Sequence, residues 1–167
     1  QKTAYEISTR DWSSDVCSSD LGDINVNAAV TTNLSSGQSA TLNLVAQGNI
    51  NFSSAGSISA GGGTRSLNVN LNAGTDVGGT NPPGTNASTI TIAAGSSVDT
   101  GGGSFSATAK GAVALSALTV GGSLSVNSHG FAVTQVSPFS VVGNSTLNAG
   151  AGDITLTQGG NDFQGNV

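Results

Sequence analysis

Chemistry in this chain would have to come from one histidine, a few dispersed aspartates and many hydroxyl and amide side chains. His129 is the sole histidine. A catalytic or metal-ligating imidazole needs a partner, and Asn127, Ser128 and Gly130 around it supply neither Cys nor Glu. It reads as an exposed corner residue. Asp23, Asp76, Asp99, Asp153 and Asp162 are spread along the sequence. Asp23 and Asp153 each follow a Gly, where a carboxylate accepts backbone N–H bonds in a turn. Calcium-binding rolls need tandem Gly-Gly-x-Gly-x-Asp units, and residues 150–153 and 159–162 are only partial versions. The runs 61–63 and 101–103 are triple glycines, but no Lys-Ser or Lys-Thr follows to make a phosphate loop. Serines abound, yet no Gly-x-Ser-x-Gly elbow occurs to expose a nucleophile. Asn33, Asn51, Asn86 and Asn144 open glycosylation-type triplets, which chance produces readily in a chain this rich in Asn and Ser. These residues predict no catalytic, cofactor or metal site.

Residues 1–21 stand apart. Gln1 to Ile7 and Asp11 to Leu21 resemble the two constant arms of a sequencing index adapter translated in one frame, with Ser8 and Thr9 falling in the variable index. This segment holds the only Tyr, Glu, Trp and Cys of the chain, at Tyr5, Glu6, Trp12 and Cys17. Such a segment is set aside before fold reasoning. It is expected to be disordered or to carry incidental structure, with no persistent packing on residues 22–167. Those residues are expected to be a fragment assembled from mixed environmental DNA.

Residues 22–167 carry seven charged side chains, the five aspartates with Arg65 and Lys110. Ordinary soluble domains carry about 25%. No basic patch exists for nucleic acid. No apolar run reaches the roughly 18–20 residues of a membrane helix. Without Cys there is neither a disulfide framework nor a thiolate metal site in this part.

What must be positioned is therefore a neutral polar surface, and the sequence shows how. From Ser66 to Asn72 every second residue is apolar, and the same alternation marks residues 23–27, 41–44, 89–92, 123–126 and 153–157. A period of two puts alternate side chains on opposite faces of a strand. No stretch has a convincing helical stripe, although the Ala-rich run 113–120 is ambiguous. A longer period lies above the first. Gly22, Gly48, Gly74, Gly95, Gly111, Gly130 and Gly152 each precede a short alternating run, at intervals of 26, 26, 21, 16, 19 and 22 residues. Three of these follow a tight Gly-[Asp/Asn]-Ile pattern.

Imperfect repeats of about 20 residues with small-residue corners predict an all-β parallel β-helix of six to seven coils over 22–167. Strands of successive coils would stack at about 4.8 Å. Inward residues would form apolar ladders, and outward Asn, Ser and Thr would form polar ones. The predicted inward set is Ile24, Val26, Leu42, Leu44, Ile50, Leu67, Val69, Leu71, Ile90, Ile92, Leu124, Val126, Leu147, Ile154 and Leu156. Residues 78–86 contain Pro82 and Pro83 and no aliphatic or aromatic side chain, so a loop protrudes there. A sandwich of two antiparallel sheets also fits the spacings.

Residues 22–32, 42–52, 120–126, 132–135 and 149–156, with the ending Gly160 to Val167, resemble the repetitive passenger region of filamentous-haemagglutinin-like, two-partner-secreted adhesins. The resemblance spans nearly all of 22–167. It implies a long right-handed β-helix, export through an outer-membrane barrel transporter, and a place outside a Gram-negative cell. The implied function is structural and adhesive, without catalysis and without membrane insertion, with a glycan or host-surface protein as the partner class. Two rival readings stand beside it. A carbohydrate-active β-helix enzyme would need clustered carboxylates. An ice-binding solenoid would need a regular Thr-x-Thr face, whereas Thr89/Thr91 and Thr155/Thr157 are isolated.

Overall fold

The computed structural model describes residues 15–19, 22–62, 64–75 and 87–167. Eighteen short strands occur there, with no helix among the described residues. They build three parallel sheets of six strands each. The first holds β1 (Asp15–Ser19), β4 (Ser39–Ala46), β7 (Ser66–Ala73), β10 (Phe105–Ala109), β13 (Leu124–Asn127) and β16 (Ser145–Asn148). The second holds β2 (Ile24–Val26), β5 (Ile50–Phe52), β8 (Ile90–Ile92), β11 (Val113–Leu115), β14 (Val133–Gln135) and β17 (Ile154–Thr155). The third holds β3 (Ala29–Thr31), β6 (Ser57–Ser59), β9 (Ser97–Asp99), β12 (Ala117–Val120), β15 (Phe139–Val141) and β18 (Asp162–Phe163).

Every third strand pairs with the next in parallel, so the chain winds through the three sheets in turn and completes six coils. This is a parallel β-helix. Hairpin-linked antiparallel sheets, the sandwich alternative, are not what these residues form. The Ala-rich run 113–120 becomes β11 and β12.

The alternation read from the sequence is the burial pattern observed. In β7 the residues run half-buried, buried, half-buried and so on, with Leu67, Val69, Leu71 and Ala73 inside. Register stacks like on like. Leu42, Val69, Phe105 and Leu124 form one interior column, and Ile24, Ile50, Ile90, Val113 and Val133 another. Where the first sheet ends, Ala46, Ala73 and Ala109 stack, and their small size lets the chain turn into the second sheet.

The seven glycine-led repeats resolve into six coils. Gly74 closes β7 and Gly95 precedes β9, so both belong to the third coil, at different corners. The loop expected at 78–86 lies outside the described residues. Gly48 and Gly152 mark one true corner, just before the second sheet. A side chain there would meet main-chain atoms of the coil below at 3.0 Å and 2.3 Å respectively.

Two further expectations concern the ends of the stack. Within the segment expected to be disordered or to carry incidental structure, Asp15–Ser19 forms β1, which pairs with β4 across five residues. The register sets Asp15 against Leu42 and Ser19 against Ala46. The open edge of β4 offers unpaired N–H and C=O groups, and any extended segment beside it satisfies them. Residues 1–14, 20 and 21 lie outside the described residues. Ile154, expected inside, is 45% exposed although it sits in register over Val133, because β17 is the edge strand of the second sheet. Ile24, Leu147 and Leu156 are only partly buried against the core.

Candidate functional site

The most regular surface is the outer side of the first sheet, whose strands are the longest. The residues between its buried positions fall into rows across the coils. One row is Asn43, Asn70, Ser106, Ser125 and Thr146; the next is Val45, Asn72, Thr108, Asn127 and Asn148. Neither row holds a charge or an aromatic ring. The alternation that fills the core with Leu and Val therefore leaves an uncharged outer grid of amides and hydroxyls, with Val45 its one aliphatic member.

One side-chain bond links two coils within these rows, and others link coils beside them. Asn70 Nδ2 donates to Asn43 Oδ1 at 2.8 Å. Asn68 Oδ1 accepts from the Ser104 N–H at 3.0 Å, and Ser104 Oγ accepts from the Ser123 N–H at 3.0 Å. On the second sheet Asn51 Nδ2 donates to Asn25 Oδ1 at 3.2 Å. At the corner before that sheet, Asp23 Oδ1 accepts from the Asn49 N–H at 2.7 Å, and Asn49 Oδ1 accepts from the Thr89 N–H at 2.8 Å. Asp23 thus takes the turn role read from the sequence, but toward the next coil.

His129 is exposed at the corner after β13. Its N–H donates to Asn127 Oδ1 at 3.0 Å, and its Nδ1 lies 3.1 Å from the Ala109 carbonyl oxygen. Its φ is +49°, the only positive value among described non-glycine residues. One coil later Gly150 stands in the same place, with φ +59° and its N–H on Asn148 Oδ1 at 2.9 Å. Asp99 repeats the device, accepting from the N–H of Gly101, whose φ is +56°. These are side-chain-closed turns that tolerate the left-handed conformation. The sequence reading of dispersed carboxylates missed this for Asp99. The signal was Asp or Asn two residues before a Gly.

The aspartates do not converge. Asp99 and Asp162 share the outer row of the third sheet, but Thr119 and Ser140 intervene. Three coil steps put them about 14 Å apart, beyond the roughly 5–10 Å of a paired glycosidase acid and base. Asp162 Oδ2 instead accepts from Gln164 Nε2 at 2.9 Å. Asp153 is exposed before β17, and Asp76 lies outside the described residues. Among the described residues no three His, Cys, Asp or Glu gather as metal ligands. Arg65 bonds the Gly61 carbonyl, which occupies it within its own loop.

The remaining sequence candidates are equally scattered. Asn33 and Asn144 are exposed, whereas Asn51 is engaged in its ladder; Asn86 lies outside the described residues. Of the two glycine runs, residues 101–103 form the corner between the third and first sheets. A side chain on Gly103 would strike the Leu67 carbonyl oxygen at 2.2 Å. The outer row Asn51, Thr91, Ala114, Thr134 and Thr155 on the second sheet is broken by Ala114, so threonines do not tile it.

Residues 102–167, which contain the fourth to sixth coils, match a family described as repeats of unknown function (DUF5649). Comparison with curated proteins and with solved structures gave no match.

Proposed function

We propose that residues 22–167 are a structural and adhesive segment of a large secreted surface protein of a Gram-negative bacterium, similar to filamentous-haemagglutinin-like passengers, and that it performs no catalysis. The observation that carries this reading is the continuity of the uncharged outer rows from coil to coil over an apolar interior. A stack of this kind can be extended by repetition without changing its surface chemistry. Its export partner in this reading is an outer-membrane barrel transporter. Its adhesive partner is a glycan or host-surface protein that meets a neutral amide and hydroxyl face.

Size fixes the mode of binding. The five described coils bearing side chains on the first sheet span about 20–25 Å by 15–20 Å, or roughly 400 Å². A stable protein interface uses about 800 Å² per partner. One such segment therefore binds weakly, and useful adhesion arises from many copies engaged together.

The test is display of the repeat segment on cells carrying a barrel transporter, with attachment scored on glycan-coated and protein-coated surfaces. Adhesion that grows with the number of tandem copies, with no product released from the glycan, is the expected result. Release of cleaved glycan that stops with Asp99→Ala or Asp162→Ala would replace this reading with the carbohydrate-active enzyme.

A further inference from the structure

Gln135 breaks the apolar column of the second sheet. It stands over Leu115, in the column that Val26, Phe52 and Ile92 also occupy, and it is 7% exposed. A buried amide needs partners for both its ends. Asn161 of the sixth coil provides them. Asn161 Nδ2 donates to Gln135 Oε1 at 3.0 Å, and Gln135 Nε2 donates back to Asn161 Oδ1. The same Oδ1 accepts from the Phe139 N–H at 2.9 Å. One side chain thus ties together the end of β14, the start of β15 and the approach to β18.

The corner that this pair spans lengthens by one residue here, as it already does between the fourth and fifth coils, where Ala114 to Thr119 is five positions and Thr134 to Ser140 is six. Thr134 pairs with Thr155, and Ser140 pairs with Asp162. Six positions separate the first residues of these pairs, but seven separate the second. The sixth coil must absorb one extra residue between its second and third sheets. A one-residue slip exchanges the faces of a strand. Here it would carry Asp162 to the inner side and turn Phe163 out, away from the edge-on contact it makes with Phe139. In a stack where each coil is the template of the next, such an error passes to every later coil.

We infer that the Gln135–Asn161 amide pair is a register lock, a conformational device that fixes how the sixth coil seats on the fifth. It works like a polar residue in an otherwise apolar seam, which costs some stability and excludes alternative pairings. Nothing in the adhesive reading is needed for it.

Hydrogen exchange followed by mass spectrometry on the full 167-residue chain tests the lock. Gln135→Leu and Asn161→Ala are each expected to speed exchange in peptides covering 154–163 by at least tenfold. Peptides covering 39–73 should stay unchanged. Asn161 is half-exposed, so Asn161→Ala carries the test should Gln135→Leu fail to fold. The reciprocal double variant Gln135→Asn with Asn161→Gln keeps two facing amides and is expected to restore at least part of the protection. Unchanged exchange in both single variants overturns the lock, because hydrophobic patterning alone then sets the register. Loss spread evenly over all coils also overturns it, as does a reciprocal variant that restores nothing.

Discussion

Val69→Asp probes the interior most directly. Val69 has no exposed surface, pairs with Leu42 below and Phe105 above, and lies between Leu67 and Leu71 on the same inner face. Losing the buried isopropyl group costs about 2 kcal/mol. A polar group left there without a hydrogen-bond partner costs about 2 kcal/mol more. At roughly 2–4 °C per kcal/mol, the thermal midpoint should fall by about 8–16 °C, and that of Val69→Ala by about half as much. The excess should depend on pH. Burial disfavours the charged form, so the introduced carboxyl has a folded pKa above its unfolded value of about 3.9. Its contribution is then least unfavourable below that unfolded value, and stability is lost as pH rises through the folded pKa. Thermal unfolding by far-ultraviolet circular dichroism at pH 3 and pH 7 reads both quantities. A Val69→Asp midpoint equal to that of Val69→Ala at pH 7, or an excess independent of pH, would refute the buried position of this column.

Gly121→Ala puts a methyl 2.0 Å from the Gly101 carbonyl oxygen, and overpacking of this kind should cost about 3 kcal/mol. Gly159→Ala meets nothing within 4 Å and should stay within about 0.5 kcal/mol in the same melting experiment. Asp99→Ala loses the bond to the Gly101 N–H, and His129→Ala loses the one to the Ala109 carbonyl; each should cost about 1 kcal/mol. Asp162→Ala, exposed and bonded only to the neighbouring Gln164 side chain, should be near neutral, and in a surface-attachment assay none of the three should reduce adhesion.

Strand positions were legible because a period of two is a local property, visible in six or seven residues. Ser66 to Asn72 needed no knowledge of any other coil to show which side of β7 is inside. Corners were less legible. Gly74 and Gly95 look alike in sequence, yet they serve different turns of one coil, because a corner glycine is defined by what lies beneath it. Gly48 and Gly152 are required by the main chain of the previous coil, 2.3–3.0 Å from where a side chain would begin. Gln135 was legible by parity, sharing a face with Val133, but its polarity argued against burial until Asn161 supplied the partner. Ile154 fails in the opposite sense: its parity is right, and its exposure depends on a neighbour above rather than on its own strand. The outer-face grid could be named as polar ladders, while the turn roles of Asp99 and Asn127 depend on φ values that no spacing prints.

The scarcity of charge, which first pointed away from chemistry, follows from the stacking itself. Residues in one outer row repeat at about 4.8 Å, and two like charges at that distance repel by about 1 kcal/mol even in bulk water. A fully charged row across five coils contains four such contacts, about 4 kcal/mol, a large share of the net stability of an ordinary domain. The fold thus selects neutral rows or charges diluted by them, as Asp99 is by Ser59 and Thr119. Ser106, Ser125 and Thr146 are consecutive in one row and have no side-chain bond to lose among the described residues. Each single change to Asp should be tolerated within about 0.5 kcal/mol. The triple change creates two neighbouring repulsions and should cost about 2 kcal/mol beyond the sum of the singles. That excess should vanish in 1 M salt, where the screening length falls to about 3 Å. Additive singles at low salt would show that these side chains do not stack in register, and the account of the neutral face would fail with them.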